Sequence, residues 1–129
     1  HVPRYQDLAY LNNHLLRWQP ETLLNLPEGI GMLPFLIPGS AELVAANVES
    51  LRKHQLVVWA KHGVMARSDV SVKQAADRIE YAETAARYEY LNLAVGEMGA
   101  GLSAEELRSI SRAFKLDGGQ PGPACEVIR

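Results

Sequence analysis

The sequence has little cysteine, few large aromatic residues and no long apolar run. Its 129 residues include one cysteine, two tryptophans and two phenylalanines. The single Cys125 excludes an internal disulfide and favours a reducing compartment, so we expect a cytoplasmic protein. No apolar run could span a bilayer, and no apolar core follows a basic start. We therefore expect neither a membrane segment nor a signal peptide.

An excess of charge is also missing. Thirteen basic and fifteen acidic residues give a formal net charge of -2 at pH 7. Proteins that bind nucleic acid or anionic membranes usually carry a basic patch, so we expect neither partner. With 47% hydrophobic and 22% charged residues, the chain has the composition of one globular domain. It opens on His1 rather than methionine, which suggests a piece of a longer polypeptide.

Hydrophobic spacing predicts alternating helices and strands, and hence an α/β chain. Three prolines and three glycines over residues 27–40 predict an irregular connection with at most a short strand. The Gly/Pro-rich residues 117–129, which include Cys125, are predicted to be a flexible tail after a single domain over 1–116. Helices are predicted over 5–18, 41–53, 72–95 and 103–116, strands over 22–26 and 56–60, and a short extended piece over 64–66.

Three serines are predicted to begin helices. Ser40 is a good N-cap residue, and Ser71 and Ser103 are each followed three residues later by a residue that completes a capping box. The same periodicity predicts which faces are buried. In the helix over 41–53 the apolar face would hold Val44, Val48 and Leu51. In the long helix a row of charges is predicted to face solvent: Glu80, Glu83, Arg87 and Glu89.

His62 is the candidate site residue. It follows the apolar run over 56–60, which is typical of a buried strand, and the ends of such strands often carry functional side chains. The following Gly63 could allow an unusual turn or a close approach of a ligand. From chemistry alone, a core histidine bonded to a backbone carbonyl is the favoured interpretation, because one histidine does not make a metal site. His54 is interpreted as a solvated turn residue.

Two motifs together resemble a known family. The first is Pro27-Glu28-Gly29-Ile30-Gly31-Met32-Leu33-Pro34 with Ile37-Pro38-Gly39-Ser40, and the second is Leu56-Val57-Val58-Trp59-Ala60-Lys61-His62-Gly63-Val64. Alone, the G-x-G of the first motif indicates a structural bend, since no Lys-Ser/Thr follows to complete a phosphate loop. In this order, the motifs resemble the class II aldolase/adducin superfamily, most closely its rhamnulose-1-phosphate aldolase branch. The resemblance covers nearly all of residues 5–116.

The resemblance implies a layered α/β fold with a central, mostly antiparallel sheet flanked by helices, here incomplete. It implies that His62, the histidine of H-G-V, is a zinc ligand. The other two histidine ligands would form an H-x-H pair upstream of this chain. The catalytic glutamate and the phosphate-binding loops would also lie upstream. His1 does not fit that pair. Glu21, six positions before Pro27, matches a second glutamate that this branch contributes across a subunit contact; a solvated charge is the alternative.

The function implied by the resemblance is zinc-dependent cleavage of a ketose 1-phosphate. For this branch the substrate would be rhamnulose 1-phosphate and the products dihydroxyacetone phosphate and lactaldehyde, in a ring-like homotetramer. The 129 residues alone would lack most of the site and be inactive. Two alternatives stay open: an inactive, adducin-like assembly module and a sugar-phosphate epimerase with the same zinc site.

Overall fold

The computed structural model describes residues 15–96 and 99–116. Most of the helix predicted over 5–18, the tail predicted over 117–129, His1 and Cys125 lie outside the described residues. The described residues begin with a 3-10 helix, Leu15–Arg17, after which helices and strands alternate. In chain order these are α1 (Pro20–Asn25), β1 (Ile30–Leu33), α2 (Ala41–Lys53), β2 (Leu56–Trp59), β3 (Gly63–Ala66), α3 (Val72–Val95) and α4 (Ala104–Ala113).

The three strands form one sheet in the order β1-β2-β3. β1 and β2 are parallel, with Ile30 opposite Leu56, and α2 makes the crossover that a parallel pair requires. β2 and β3 are antiparallel, with Leu56 opposite Ala66 and Trp59 opposite Gly63. The predicted α/β class is therefore confirmed, and the described strands make one pair of each sense.

The sheet separates two apolar clusters because successive side chains of a strand point to opposite faces. On one face, Ile30 and Leu56 join the larger cluster, which also takes in Ala85 of α3. On the other face, Leu33 and Val57 pack with Leu43 of α2. The result is a layered arrangement in which α2 covers one side of the sheet and α3 the other.

The strand predicted over 22–26 is wrong: these residues lie in or just after helix α1. Gln19 is extended and Pro20 opens the helix, where its fixed φ and missing N–H are harmless. Leu23 and Leu26 are both fully buried, and their spacing of three residues suits one face of a helix. The short apolar run looked like a strand because periodicity cannot separate the two at this length.

The predicted buried face of α2 is wrong for two of its three residues, while the third, Leu51, is half-buried and packs against the smaller apolar cluster. Val44 and Val48 are 60% and 48% exposed, whereas Leu43 and Asn47 are buried. The residues that meet the sheet are four positions apart, as expected on one helical face, but the polar Asn47 made that face look solvated. Its partners, described below, decide the orientation of the helix.

The predicted helix caps are largely confirmed. The Ser40 hydroxyl accepts from the Leu43 amide at 3.1 Å, and the Ser71 hydroxyl accepts from the Gln74 amide at 3.0 Å. Ser103 and Glu106 form a complete capping box, whose hydrogen bond from the Ser103 amide lowers the pKa of the Glu106 carboxyl. The capping box predicted at Ser71 is only half formed, because the Gln74 side chain accepts from Ser68 instead.

The charge row predicted to be solvated on α3 contains one buried member. Glu89 is fully buried, and its carboxylate accepts a hydrogen bond of 3.0 Å from the Trp18 indole. This partner is 71 positions away along the chain, so the periodicity of α3 gave no sign of it. Among the helices that the structure describes, none has both the length and the apolar character needed to cross a membrane.

Gly31 allows β1 and α2 to lie unusually close together. A Cβ at this position would lie 2.6 Å from the Ser50 hydroxyl and 2.8 Å from Nδ1 of His54. His54 is half-buried rather than solvated, and its Nδ1 lies 3.2 Å from the Ser50 carbonyl. This close contact supports a structural role for the second glycine of the G-x-G motif.

We expect Gly31→Ala to lower the free energy of unfolding by about 1–3 kcal/mol, because the new methyl group overpacks the contact with α2. Gly63→Ala is the matched control. Its Cβ would meet nothing within 4 Å, so we expect a change within about 0.5 kcal/mol. Denaturant unfolding of both variants measures the difference, and equal stabilities would contradict the packing role of Gly31.

Candidate functional site

His62 lies in the three-residue loop between β2 and β3. Its backbone amide donates to the Trp59 carbonyl at 3.0 Å, which closes the turn. The residue is exposed, and no hydrogen bond to its ring nitrogens occurs within the described residues. The interpretation of His62 as a core histidine is therefore wrong, while its predicted place just past the core strand is confirmed.

The unusual backbone conformation of the loop falls on Lys61 rather than on Gly63. Lys61 has a φ of 59°, in the left-handed region that few side chains adopt. Gly63 has an ordinary φ and begins β3, and the space beside it is open. The local conformation therefore does not require glycine at 63, in contrast to the unusual turn considered from the sequence.

The His62 ring contacts one aromatic side chain. The centroids of the Trp59 and His62 rings are 5.0 Å apart, with the planes tilted by 53°. Trp59 is held in turn by Asn47 of α2, whose side-chain oxygen accepts from the indole N–H at 2.8 Å. The amide nitrogen of Asn47 contacts the sulfur of Met65 in β3 at 3.1 Å. Both ends of the Asn47 amide are thus directed at the hairpin that carries His62.

Arg67 anchors the other end of the hairpin. Its Nε donates to the Leu51 carbonyl near the end of α2 at 2.5 Å, and its backbone amide donates to Gln55 at 2.9 Å. One terminal nitrogen forms a 3.1 Å ion pair with Glu28 of the first motif, and the other lies 3.5 Å from the exposed Asp69. Glu28 of the first motif therefore pairs with the arginine that holds the backbone at this end of the hairpin.

Arg78 extends this anchor to α3. Its guanidinium donates to the backbone carbonyl of Arg67 and, at 3.1 Å, to that of Asn25, the last residue of α1. Burial, followed by the nearby positive charge of Arg67, lowers the pKa of Arg78. Two guanidinium groups thus join α1, α2, α3, the first motif and the hairpin through backbone carbonyls and one carboxylate.

Glu21, the second candidate residue, does not interact with His62 in the part of the chain that the structure describes. It is exposed in the first turn of α1, a helix that packs against α3 and α4. No hydrogen bond or ion pair joins the side chains of these two described residues.

His62 is the candidate zinc ligand in the described part of the chain. His62 is exposed and its ring nitrogens are not hydrogen-bonded there, so its imidazole can bind a metal. Within residues 15–96 and 99–116, no group of three potential ligands among His, Cys, Asp and Glu is assembled. His62 alone does not make a zinc site, and further ligands would be needed to complete one.

An apolar cavity of about 180 Å³ lies on the opposite face of the sheet from Asn47. Side chains of β2 and α3, such as Leu56, Val58 and Ile79, line it, and Glu83 is its charged member. A phosphate needs positive or N–H groups around it, and this lining supplies an acid instead. We therefore do not assign the cavity to a sugar phosphate.

Three of the supporting residues were not singled out from the sequence: Asn47, Trp59 and Arg67. A tryptophan at the end of a core strand was the available signal, since a buried indole N–H normally finds a partner. Which partner it finds depends on how α2 rotates on the sheet, and that orientation was predicted wrongly.

The model of the class II aldolase and adducin N-terminal domain family matches residues 6–90. The chain belongs to this family. The match spans both motifs, the hairpin with His62 and most of α3, and it confirms the family resemblance stated from the sequence.

Curated relatives of the chain are rhamnulose-1-phosphate aldolases. The protein of Bacteroides thetaiotaomicron is 33% identical over 119 residues, covering 90% of this chain and 43% of the relative. The protein of Enterobacter sp. strain 638 is 32% identical over 108 residues, covering 84% and 39%. The crystal structure of a sugar-phosphate aldolase from Thermotoga maritima superposes with a TM-score of 0.62 at 34% identity, over 73% of this chain and 44% of that one. The chain thus spans about two fifths of the length of these relatives.

We expect the Arg67–Glu28 ion pair to stabilise the fold around the hairpin. Glu28→Ala should lower the free energy of unfolding by about 1 kcal/mol, because both partners are only about 30% exposed. Asp69→Ala removes the other carboxylate near Arg67, which is 90% exposed, and should change stability by less than about 0.5 kcal/mol. Thermal and denaturant unfolding measure both, and an equal effect would contradict the anchoring role of Glu28.

Proposed function

We propose that this chain is part of a zinc-dependent aldolase that cleaves a ketose 1-phosphate, with rhamnulose 1-phosphate as the substrate. The observation that carries the proposal is the exposed His62, whose ring nitrogens have no hydrogen bond within the described residues, at the end of a core strand in an aldolase family. The names of the curated relatives support the choice of substrate. The products would be dihydroxyacetone phosphate and lactaldehyde.

The proposed reaction breaks a carbon–carbon bond beside a ketone and leaves negative charge on an enediolate. Zinc, when bound, supplies a Lewis acid for that charge. The role of His62 is to stay neutral and bind the metal through one ring nitrogen, while its other nitrogen remains available for an orienting hydrogen bond. The short turn between two paired strands limits the movement of the His62 backbone.

Glu21 is proposed as a proton-transferring carboxylate that serves the site of a neighbouring subunit. Its exposure on α1 is compatible with a place at a subunit contact. The family resemblance, rather than a contact within this chain, is the support for this role. We propose the homotetramer on the same ground, and exposed apolar side chains at Phe35, Ile37, Val44 and Val48 support assembly.

The 129 residues alone are proposed to lack activity. One histidine binds zinc weakly, and the described residues assemble no group of three potential metal ligands. The experiments below therefore use the polypeptide as its own cell produces it, whatever its length.

We expect that polypeptide to bind zinc and to cleave rhamnulose 1-phosphate, and His62→Ala to abolish both. Loss of outer-shell partners typically weakens metal binding by about 10–100-fold, so the loss of a ligand should cost more than that. The fold should survive because His62 is exposed. Zinc content, cleavage rate and thermal unfolding measure the three effects.

His54→Ala is the matched control. It removes a half-buried histidine that packs over Gly31, so it should lower stability but keep zinc and cleavage. Retention of full cleavage by His62→Ala would overturn the proposal. Zinc binding with epimerisation instead of cleavage would favour the epimerase alternative. A folded protein with neither zinc nor activity would favour the assembly module.

We expect Glu21→Gln to lower kcat by about a hundredfold while zinc affinity stays unchanged, because proton transfer is lost and metal ligation is not. Glu42→Gln is the matched control, since Glu42 is likewise an exposed acid in the first turn of a helix. It should leave kcat unchanged. Equal rates for both variants would remove Glu21 from the site.

A further inference from the structure

We propose that Asn47 and Trp59 are positioning residues for His62: the Asn47 side chain holds the Trp59 indole, and the indole holds the imidazole. This inference rests on the proposed role of His62 as a metal ligand. It assigns a function to a buried polar residue of α2 that makes no contact with the metal site itself.

The contact between the Trp59 and His62 rings restrains the imidazole. His62 is exposed, and within the described residues its ring makes no hydrogen bond. The Trp59 ring, 5.0 Å away between centroids, is the aromatic partner found for it. An imidazole on a turn can otherwise occupy several rotamers, and ordering such a side chain costs free energy on binding. A fixed indole beside it removes part of that freedom beforehand.

A hydrogen bond to Asn47 fixes the Trp59 indole. The Trp59 N–H donates to the Asn47 oxygen at 2.8 Å, and the Asn47 nitrogen contacts the Met65 sulfur at 3.1 Å. Asn47 is only 8% exposed. Burying an amide is unfavourable unless its polar atoms have partners, and these two contacts supply them at both ends. A flipped amide would lose the indole bond, so these two contacts select one orientation of the Asn47 amide.

Asn47 connects the two rings to the packing of α2 on the sheet. Asn47 lies on α2 on the same face as Leu43, whose side chain packs with Leu33 and Val57 of the sheet. The position of the imidazole is therefore related to the packing of α2 on β2. In metal sites, partners outside the ligand shell commonly orient histidine ligands in this way, and their loss typically weakens metal binding by about 10–100-fold.

The test measures binding of Zn²⁺ alone to the polypeptide as its cell produces it. Trp59→Phe keeps a ring beside His62 but removes the N–H that Asn47 holds, and we expect about tenfold weaker zinc binding. Trp18→Phe is the matched control, because it also removes an indole hydrogen bond, the one to Glu89. It should lower stability with no change in zinc affinity. Equal zinc affinity of Trp59→Phe and the wild type would overturn the proposal.

A double-variant cycle separates positioning from general loss of stability. Asn47→Leu should weaken zinc binding about as much as Trp59→Phe, since either change breaks the same bond. The double variant should then be no weaker than either single variant, because the bond can be lost only once. Fully additive losses would overturn the proposed coupling between Asn47 and Trp59.

A metal-free readout keeps this inference distinct from the proposed function. We expect the ring-proton chemical shifts of His62, measured by NMR at one fixed pH, to move toward those of a free histidine in Asn47→Leu and in Trp59→Leu. The Trp18→Phe control should leave them in place. If the wild type fails to bind zinc, the proposed function fails, yet these shifts still decide the positioning role. Unchanged shifts in both variants would overturn it.

Discussion

The hydrogen bonds of two arginine side chains hold together the segments around the hairpin. Arg67 joins the end of α2 to the first motif, and Arg78 donates to the Arg67 carbonyl from α3. Carbonyls at a helix end have no partners within the helix, so a guanidinium that bonds one of them also suits the local dipole. The contact between Asn47 and the sulfur of Met65 is a further connection between α2 and β3.

The motif residues that carry the family resemblance have mainly structural roles in this chain. Glu28 pairs with Arg67, and Gly31 lacks the side chain that would clash with Ser50 and His54. Trp59 bonds to Asn47, on the face of the sheet that α2 covers. Unlike Glu28, Gly31 and Trp59, His62 is exposed, and it lies in the loop that these contacts support. The two motifs together therefore contain residues that hold the β2–β3 hairpin in place. The hairpin in turn exposes the imidazole of His62.

Local signals predicted much of the fold. Ser40 and Ser103 begin helices because a side-chain cap depends on a few neighbouring residues, and β2 is a strand because its apolar run is short and branched. The place of His62 followed from the same local reasoning. The strand predicted over 22–26 failed because so short a stretch fits both patterns: Leu24 and Leu26 fit the period of a strand, and Leu23 and Leu26 fit one face of a helix.

Interactions between distant residues account for the other errors and for the part of the site that was missed. Glu89 is buried because Trp18 bonds to it, and α2 turns Asn47 inward because Trp59 bonds to it. A single sequence does not display such pairs, since each polar residue alone is typical of a solvated face. The proposal that His62 is a zinc ligand came from the resemblance, because chemistry alone favoured a core histidine.

The sheet order has a consequence for handling the isolated chain. In the part that the structure describes, β2 is paired on both sides, whereas β1 and β3 each leave one side unpaired. Open edges with apolar residues, such as Val64 and Met65 in β3, can pair with the edge of another molecule. Self-association through these edges is therefore to be distinguished from native assembly when the 129 residues are prepared alone. A charged residue introduced on β3 would suppress the edge pairing without touching the exposed face of α2.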